Sequence, residues 1–96
     1  MDIPNIEEKC DEVAAFLKSL SHPQRLMIAC HLSAGEKTVS ELLALCHISQ
    51  SQLSQFLKRM ELEGLVDSRR EGQYSHYRIK DKRLLQLLNT MQKLFC

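Results

Sequence analysis

The sequence has no tryptophan, and its two tyrosines and three phenylalanines bring aromatics to only 5% of 96 residues. A core without large rings must be built from Leu, Ile, Val, Met and Ala, a composition that favours helices. Glycine (3) and proline (2) are scarce, so there is no flexible linker, no low-complexity tract and no Gly-rich loop to cradle a phosphate. No run of about 18 apolar residues occurs, which excludes a transmembrane helix. The opening segment MDIPNIEEKCDE is acidic where a secretion signal would be basic and then apolar. A cytoplasmic chain with reduced thiols is expected, with no membrane partner. No C-x-x-C pair is present, so the four cysteines (Cys10, Cys30, Cys46 and Cys96) form neither a thioredoxin-like nor a zinc-ribbon motif. No nucleophile–base constellation stands out, and the chain is not expected to be an enzyme. A strong charge bias is also missing: thirteen basic and twelve acidic side chains leave a net charge of +1.

What is present is a series of legible helix starts. Capping-box pairs (Ser, Thr, Asp or Asn followed three residues later by Glu or Gln) occur as Asn5/Glu8, Ser21/Gln24, Thr38/Glu41 and Ser49/Gln52. Each opens an apolar helical pattern. The spacing predicts helices over about 5–20, 22–33, 39–46 and 50–63, with Gly35 and Gly64 as stops. The period then changes. Residues 65–70 and 73–79 read as short strands joined by a turn at Glu71-Gly72, a β-hairpin. Asp81 caps a last, leucine-rich helix over about 82–95. The expected fold is mainly α with a hairpin wing, in the order α-α-α-α-β-β-α, as a single domain over 1–96. A domain of this size buries only about 60–65% of its unfolded surface, so a leftover apolar face would favour a dimer.

The small net charge is an average. Residues 1–48 carry four basic and seven acidic side chains, whereas residues 49–83 carry eight and five. The basic excess coincides with a helix–short turn–helix, Thr38 to Met60, whose second helix is the one that enters the DNA major groove in such motifs. Its stripe of Leu53, Phe56, Leu57 and Met60 would hold it to the domain. Its other face offers Gln50, Ser51, Gln52, Ser54, Gln55 and Lys58, with no acid among them. Gln can bond adenine in a bidentate manner, and Ser can reach bases or phosphates. Gln50, Ser51, Gln52, Ser54 and Gln55 are therefore the candidate base readers of a double-stranded operator DNA. Lys58, Arg69, Arg70 and Gln73 are the candidate backbone contacts, the last three on the wing.

Three segments carry a resemblance. Leu20-Ser-His-Pro-Gln-Arg-Leu, Ile48-Ser-Gln-Ser-Gln-Leu-Ser-Gln-Phe-Leu and Leu62-Glu-Gly-Leu-Val-Asp-Ser-Arg-Arg-Glu-Gly resemble the ArsR/SmtB family of bacterial repressors. The resemblance implies a homodimeric winged helix-turn-helix repressor, joined through its first and last helices and released from DNA by an inducer. Many relatives have His where this chain has Phe56, which is read here as a packing residue.

The metal-sensing patterns of that family are not matched. Leu43 and Leu45 occupy the cysteine positions of the E-L-C-x-C pattern, and Asp81-Lys82-Arg83 lacks the histidine of the zinc pattern. No metal site or cofactor is assigned, although a metal bound at an unfamiliar site stays open as an alternative input. A winged helix used only for protein interaction also stays open. Cys30 and Cys96 match the two cysteines of the sulfide- and persulfide-responsive subgroup, which includes BigR-like and HlyU-like repressors. That resemblance implies a dithiol switch in which reactive sulfur species or an oxidant link the two thiols by a disulfide or polysulfide bridge. The residues alone leave Cys30 open to another reading, because it follows Leu26 by one turn on an apolar stripe and a buried cysteine behaves as a small hydrophobe. Cys10 and Cys46 are read as packing residues, with a sensing role open for Cys10 as an alternative because it lies on the presumed dimer helix.

Overall fold

The computed structural model describes residues 1–96 as five helices and a three-stranded antiparallel sheet. The order is α1 (Ile3–Ser19), α2 (Pro23–Ser33), β1 (Lys37–Thr38), α3 (Val39–Leu45), α4 (Gln50–Leu62), β2 (Val66–Glu71), β3 (Tyr74–Ile79) and α5 (Lys82–Phe95). This is the winged-helix arrangement expected, with the two-residue β1 added.

Helices α3 and α4 each begin with a complete capping box. Thr38 Oγ1 accepts from the Glu41 N–H at 3.1 Å while the Thr38 N–H donates to Glu41 Oε1 at 3.0 Å. Ser49 Oγ accepts from the Gln52 N–H at 3.1 Å, and Gln52 Oε1 accepts from the Ser49 N–H at 3.4 Å. The other two expected boxes do not form. Helix α1 starts two residues earlier than expected because Pro4 suits its first turn, and Asn5 instead donates to Asp2. At α2 the cap is His22, whose Nδ1 accepts from the Gln24 N–H at 3.1 Å, while Ser21 donates back to the Lys18 carbonyl. The imidazole can do this because Pro23 fixes the first helical residue and aims the preceding side chain at the open turn.

Helix α4 ends in a Schellman motif. Gly64 takes φ +76°, where a side chain would be strained, and the Leu65 N–H closes onto the Met60 carbonyl at 2.9 Å. The Leu65 carbonyl then accepts from the Lys80 and Asp81 N–H groups at 2.9 and 3.3 Å. One backbone position thus ties the end of α4 to the start of α5.

The core is aliphatic, as a ring-poor composition requires. Ile28, Leu42, Leu53, Leu57, Met60 and Leu84 are fully buried, drawn from α2, α3, α4 and α5. In the sheet, β3 lies between β1 and β2. The register pairs Val66 with Ile79, Asp67 with Arg78, Arg69 with His76 and Glu71 with Tyr74. The turn is therefore Gly72-Gln73 rather than Glu71-Gly72. Gly72, at φ +61°, supplies the left-handed conformation a two-residue hairpin turn needs.

Two helices keep apolar faces in water. On α1, Ile3, Ile6, Val13 and Leu17 are exposed, and on α5 so are Leu85, Leu94 and Phe95. Cys10 on α1 is exposed as well, which corrects its reading as a packing residue; the helix face it occupies has no neighbour within the protomer. Cys46 is buried as expected. No helix is long and apolar enough to cross a membrane.

Candidate DNA-reading head and dithiol groove

Helix α4 turns Leu53, Leu57 and Met60 into the core and half-buries Phe56, whose ring lies 5.0 Å from that of the capping residue His22. The opposite face is set by helical spacing. Ser51, Ser54, Gln55 and Lys58 follow one another at i, i+3, i+4 and i+7, all exposed, as one continuous stripe. Gln50 flanks this stripe in the first turn. Gln52 lies off it, and its side-chain oxygen is engaged by the Ser49 cap. The structure thus divides the six polar residues expected to face DNA into a four-residue stripe, one flank and one cap.

The wing is electrostatically closed on one face. Alternation along the hairpin places Asp67, Arg69, Glu71, His76 and Arg78 together. Arg69 donates to Glu36 at 2.8 Å and to Glu71 at 2.6 Å. Arg78 grips Asp67 at 2.7 Å. His76 lies 3.9 Å from Glu36 and 3.8 Å from Glu71. The Arg69 hydrogen bond holds the Glu71 carboxyl below its usual range, as the Arg78 hydrogen bond does for Asp67.

Arg70 points the other way. Its face carries Val66, Tyr77 and Ile79 toward the core and Ser68, whose hydroxyl donates to Glu61 of α4 at 2.8 Å. Arg70 therefore extends, without an ion pair, from the side of the wing that adjoins α4. Gln73 is exposed in the turn. Sequence reasoning treated Arg69 and Arg70 alike and missed Glu36, Glu71 and Asp67. The signal was present in the alternation of Asp67, Arg69 and Glu71 against His76 and Arg78, but the turn placed one residue too early put the wrong side chains opposite one another.

The second site lies between α2 and α5. A groove of about 670 Å³ is lined by Leu26, Leu88, Met91 and Phe95, with Cys30 on one wall and Cys96 on the other. Cys30 and Cys96 are sixty-six positions apart in the chain, and the packing of α2 on α5 brings both to this one cleft. Cys30 is exposed at the groove rather than buried in the core. Partial burial pushes its thiol up, and the adjacent Cys96 adds to that rise.

Comparison with known proteins agrees with this geometry. The family model described as bacterial regulatory protein, arsR family, matches residues 22–68, from the cap of α2 through the first half of β2. The biofilm growth-associated repressor of Agrobacterium fabrum is 42% identical over 94 residues, covering 98% of this chain and 80% of that protein. The chain belongs to the ArsR family. Among solved ArsR-type structures, the transcriptional repressor BigR from Xylella fastidiosa superposes with a TM-score of 0.95 at 40% identity, covering 100% of this chain and 98% of that one. Within the ArsR family the chain thus groups with the BigR-like proteins, as the cysteine positions implied. A homodimeric winged helix-turn-helix DNA-binding domain from Mycobacterium bovis, 29% identical, superposes with a TM-score of 0.79 over 98% of this chain and 85% of that one.

Proposed function

We propose that this ArsR-family chain is a transcriptional repressor that binds operator DNA as a homodimer and lets go when Cys30 and Cys96 are linked. The DNA-binding part is supported by the repressor relatives and by the polar stripe of α4 beside Arg70. The dimer is supported by the exposed apolar faces of α1 and α5. Ile3, Val13 and Leu17 are 60%, 39% and 51% exposed, so covering what remains in water is worth about 0.6–1.8 kcal/mol each, and the related domain is described as homodimeric. Two recognition helices would then read half-sites about one DNA turn apart.

The single observation that carries the input is the shared groove: two thiols from α2 and α5 facing one apolar cleft. A persulfide supplies both the sulfur and the oxidising equivalents. The thiolate of Cys96, at the exposed end of α5, attacks the outer sulfur of an organic persulfide and expels the organic thiol, leaving a persulfide on Cys96. The Cys30 thiol, losing its proton, attacks the inner sulfur, and the outer sulfur leaves as hydrogen sulfide. The net change is two protein thiols and one organic persulfide giving a disulfide, an organic thiol and hydrogen sulfide. Addition of a further sulfane sulfur before resolution gives a longer bridge. Either link ties α2 to α5 and so acts on the helix that meets the partner protomer.

The test compares DNA binding of reduced protein with protein treated with an organic persulfide donor, for wild type, Cys30→Ser and Cys96→Ser, with mass mapping of the adducts. Wild type releases DNA, Cys30→Ser holds it while carrying a persulfide on Cys96, and Cys96→Ser holds it unmodified at Cys30. Normal release by both variants refutes the dithiol reading.

A further inference from the structure

Outside both sites, one partly buried polar cluster joins three helices. Glu63 is the cap at the end of α4, and its side chain, 28% exposed, folds back onto the domain. One oxygen accepts from the hydroxyl of Ser19, the last residue of α1, and the other from the guanidinium of Arg25 on α2. The Arg25 side chain is only 14% exposed, and its Nε has no hydrogen-bond partner. Arg59, one turn back on α4, approaches the same carboxylate at 3.9 Å. Burial works to raise the Glu63 carboxyl, but the bonds from Ser19 and Arg25 outweigh it and hold the group below its usual range.

This cluster is costly for what it returns in stability. Withdrawing the guanidinium and part of the carboxylate from water offsets much of their attraction, and apolar residues of similar volume often serve as well. An acid at a helix C-terminus also opposes the helix dipole, and here Arg25 has to compensate it. What the cluster does supply is direction. Its bonds are made only at one placement of the α4 end relative to α1 and α2, and Ser19 and Arg25 are each fixed by their own helices. Arg25 precedes groove-lining Leu26 and lies five residues before Cys30 on the same helix, so α2 carries the thiol at one point and the grip on α4 at another.

We propose that Ser19, Glu63 and Arg25 are positioning residues that set the angle of the recognition helix α4 against the dimer helix α1 and the thiol-bearing helix α2. None of the three lies on the DNA-facing stripe. They act through the placement of Ser51, Ser54, Gln55 and Lys58. The inference rests on the DNA-binding reading above, and its test separates the two.

The experiment uses the full, reduced chain and a duplex selected by the wild-type protein from a randomised pool, with a scrambled duplex as control. The double variant Arg25→Met/Glu63→Met removes one charge of each sign and so leaves net charge at +1. Its melting temperature stays at or above wild type, while affinity for the selected duplex falls about tenfold, the scale of losing one base-pair contact, and affinity for the scrambled duplex holds. Glu63→Gln is the second variant. Removing an acid would by electrostatics alone tighten binding to every duplex, whereas loss of positioning weakens binding to the selected one. Equal affinity of both variants and wild type for the selected duplex, or tighter binding by Glu63→Gln, overturns the inference alone. A wild-type protein that selects no duplex removes the DNA-binding reading and this inference together.

Discussion

The wing separates two adjacent arginines that would ordinarily be treated as equivalent, and this gives a quantitative prediction. Arg70 is free and lies on the side that adjoins α4. Arg69 is held by two carboxylates, from Glu36 and Glu71. If Arg70 neutralises one phosphate per protomer, Arg70→Ala removes two contacts from the dimer. Each contact contributes about 0.9 to the slope of log affinity against log salt, so the slope flattens by about 1.8. Between about 50 and 200 mM salt, a fourfold change, wild type should therefore lose about twelvefold more affinity than Arg70→Ala does. Arg69→Ala behaves differently. It removes no phosphate contact and leaves Glu36 and Glu71 uncompensated near the DNA, so binding weakens but the slope changes by less than ~0.5. The fold tolerates both changes, because exposed ion pairs contribute only about 0–1 kcal/mol. Fluorescence anisotropy of a labelled operator duplex across a salt series measures both slopes. Matching slopes for the two variants would refute the claim that the carboxylates take Arg69 out of phosphate binding.

Other consequences are checked as directly. Lys58→Ala should weaken binding to specific and random duplexes alike, whereas Gln55→Ala should relax base preference in a selection experiment; equal losses on both duplexes for both variants would contradict that split. Ser49→Ala removes the cap of α4 and should cost about 1 kcal/mol, a fall in Tm of about 4–8 °C in a thermal melt. Leu57→Ala opens a hole in the fully buried centre of the core and should cost about 2–5 kcal/mol in denaturant unfolding, a large part of a small domain's stability. Alkylation of Cys30, followed by mass mapping, should accelerate as pH rises and reach its midpoint above the ordinary thiol range of about 8.5, because burial and Cys96 favour the protonated form. A midpoint below that range would reverse the order of attack assigned to the two thiols.

The helical half of the fold was legible because each helix states its period in apolar residues, and α3 and α4 also state their starts in a capping box. The two capping boxes read correctly, at Thr38 and Ser49, belong to helices with no proline in the first turn. The two misread ones have a proline nearby, and proline moves the helix start onto a neighbour: Asp2 for α1 and His22 for α2. Strand β1 could not be read, since two residues carry no period and Lys37-Thr38 becomes a strand only by pairing with Tyr77 and His76. Of the reading head, the exposed face of α4 followed from periodicity, but the cap engagement of Gln52 and the neutralisation of Arg69 depend on geometry. The sharing of one groove by Cys30 and Cys96 depends on α2 packing against α5. The Ser19–Glu63–Arg25 cluster is assembled from three segments, none of which marks it locally.

The sheet has a further property. Its strand order leaves β1 and β2 as edges. One edge is two residues long, and the other runs Asp67-Ser68-Arg69-Arg70-Glu71, polar at every step after Val66. Short and charged edges are how β-proteins avoid adding strands from other molecules. The charges proposed to set how the wing meets DNA therefore also guard it against self-association. Stripping them should have an effect separate from any on DNA binding, namely a bare strand edge ready to pair with another copy. Wing variants with several neutral substitutions should accordingly precipitate or form large oligomers at concentrations where wild type stays monodisperse.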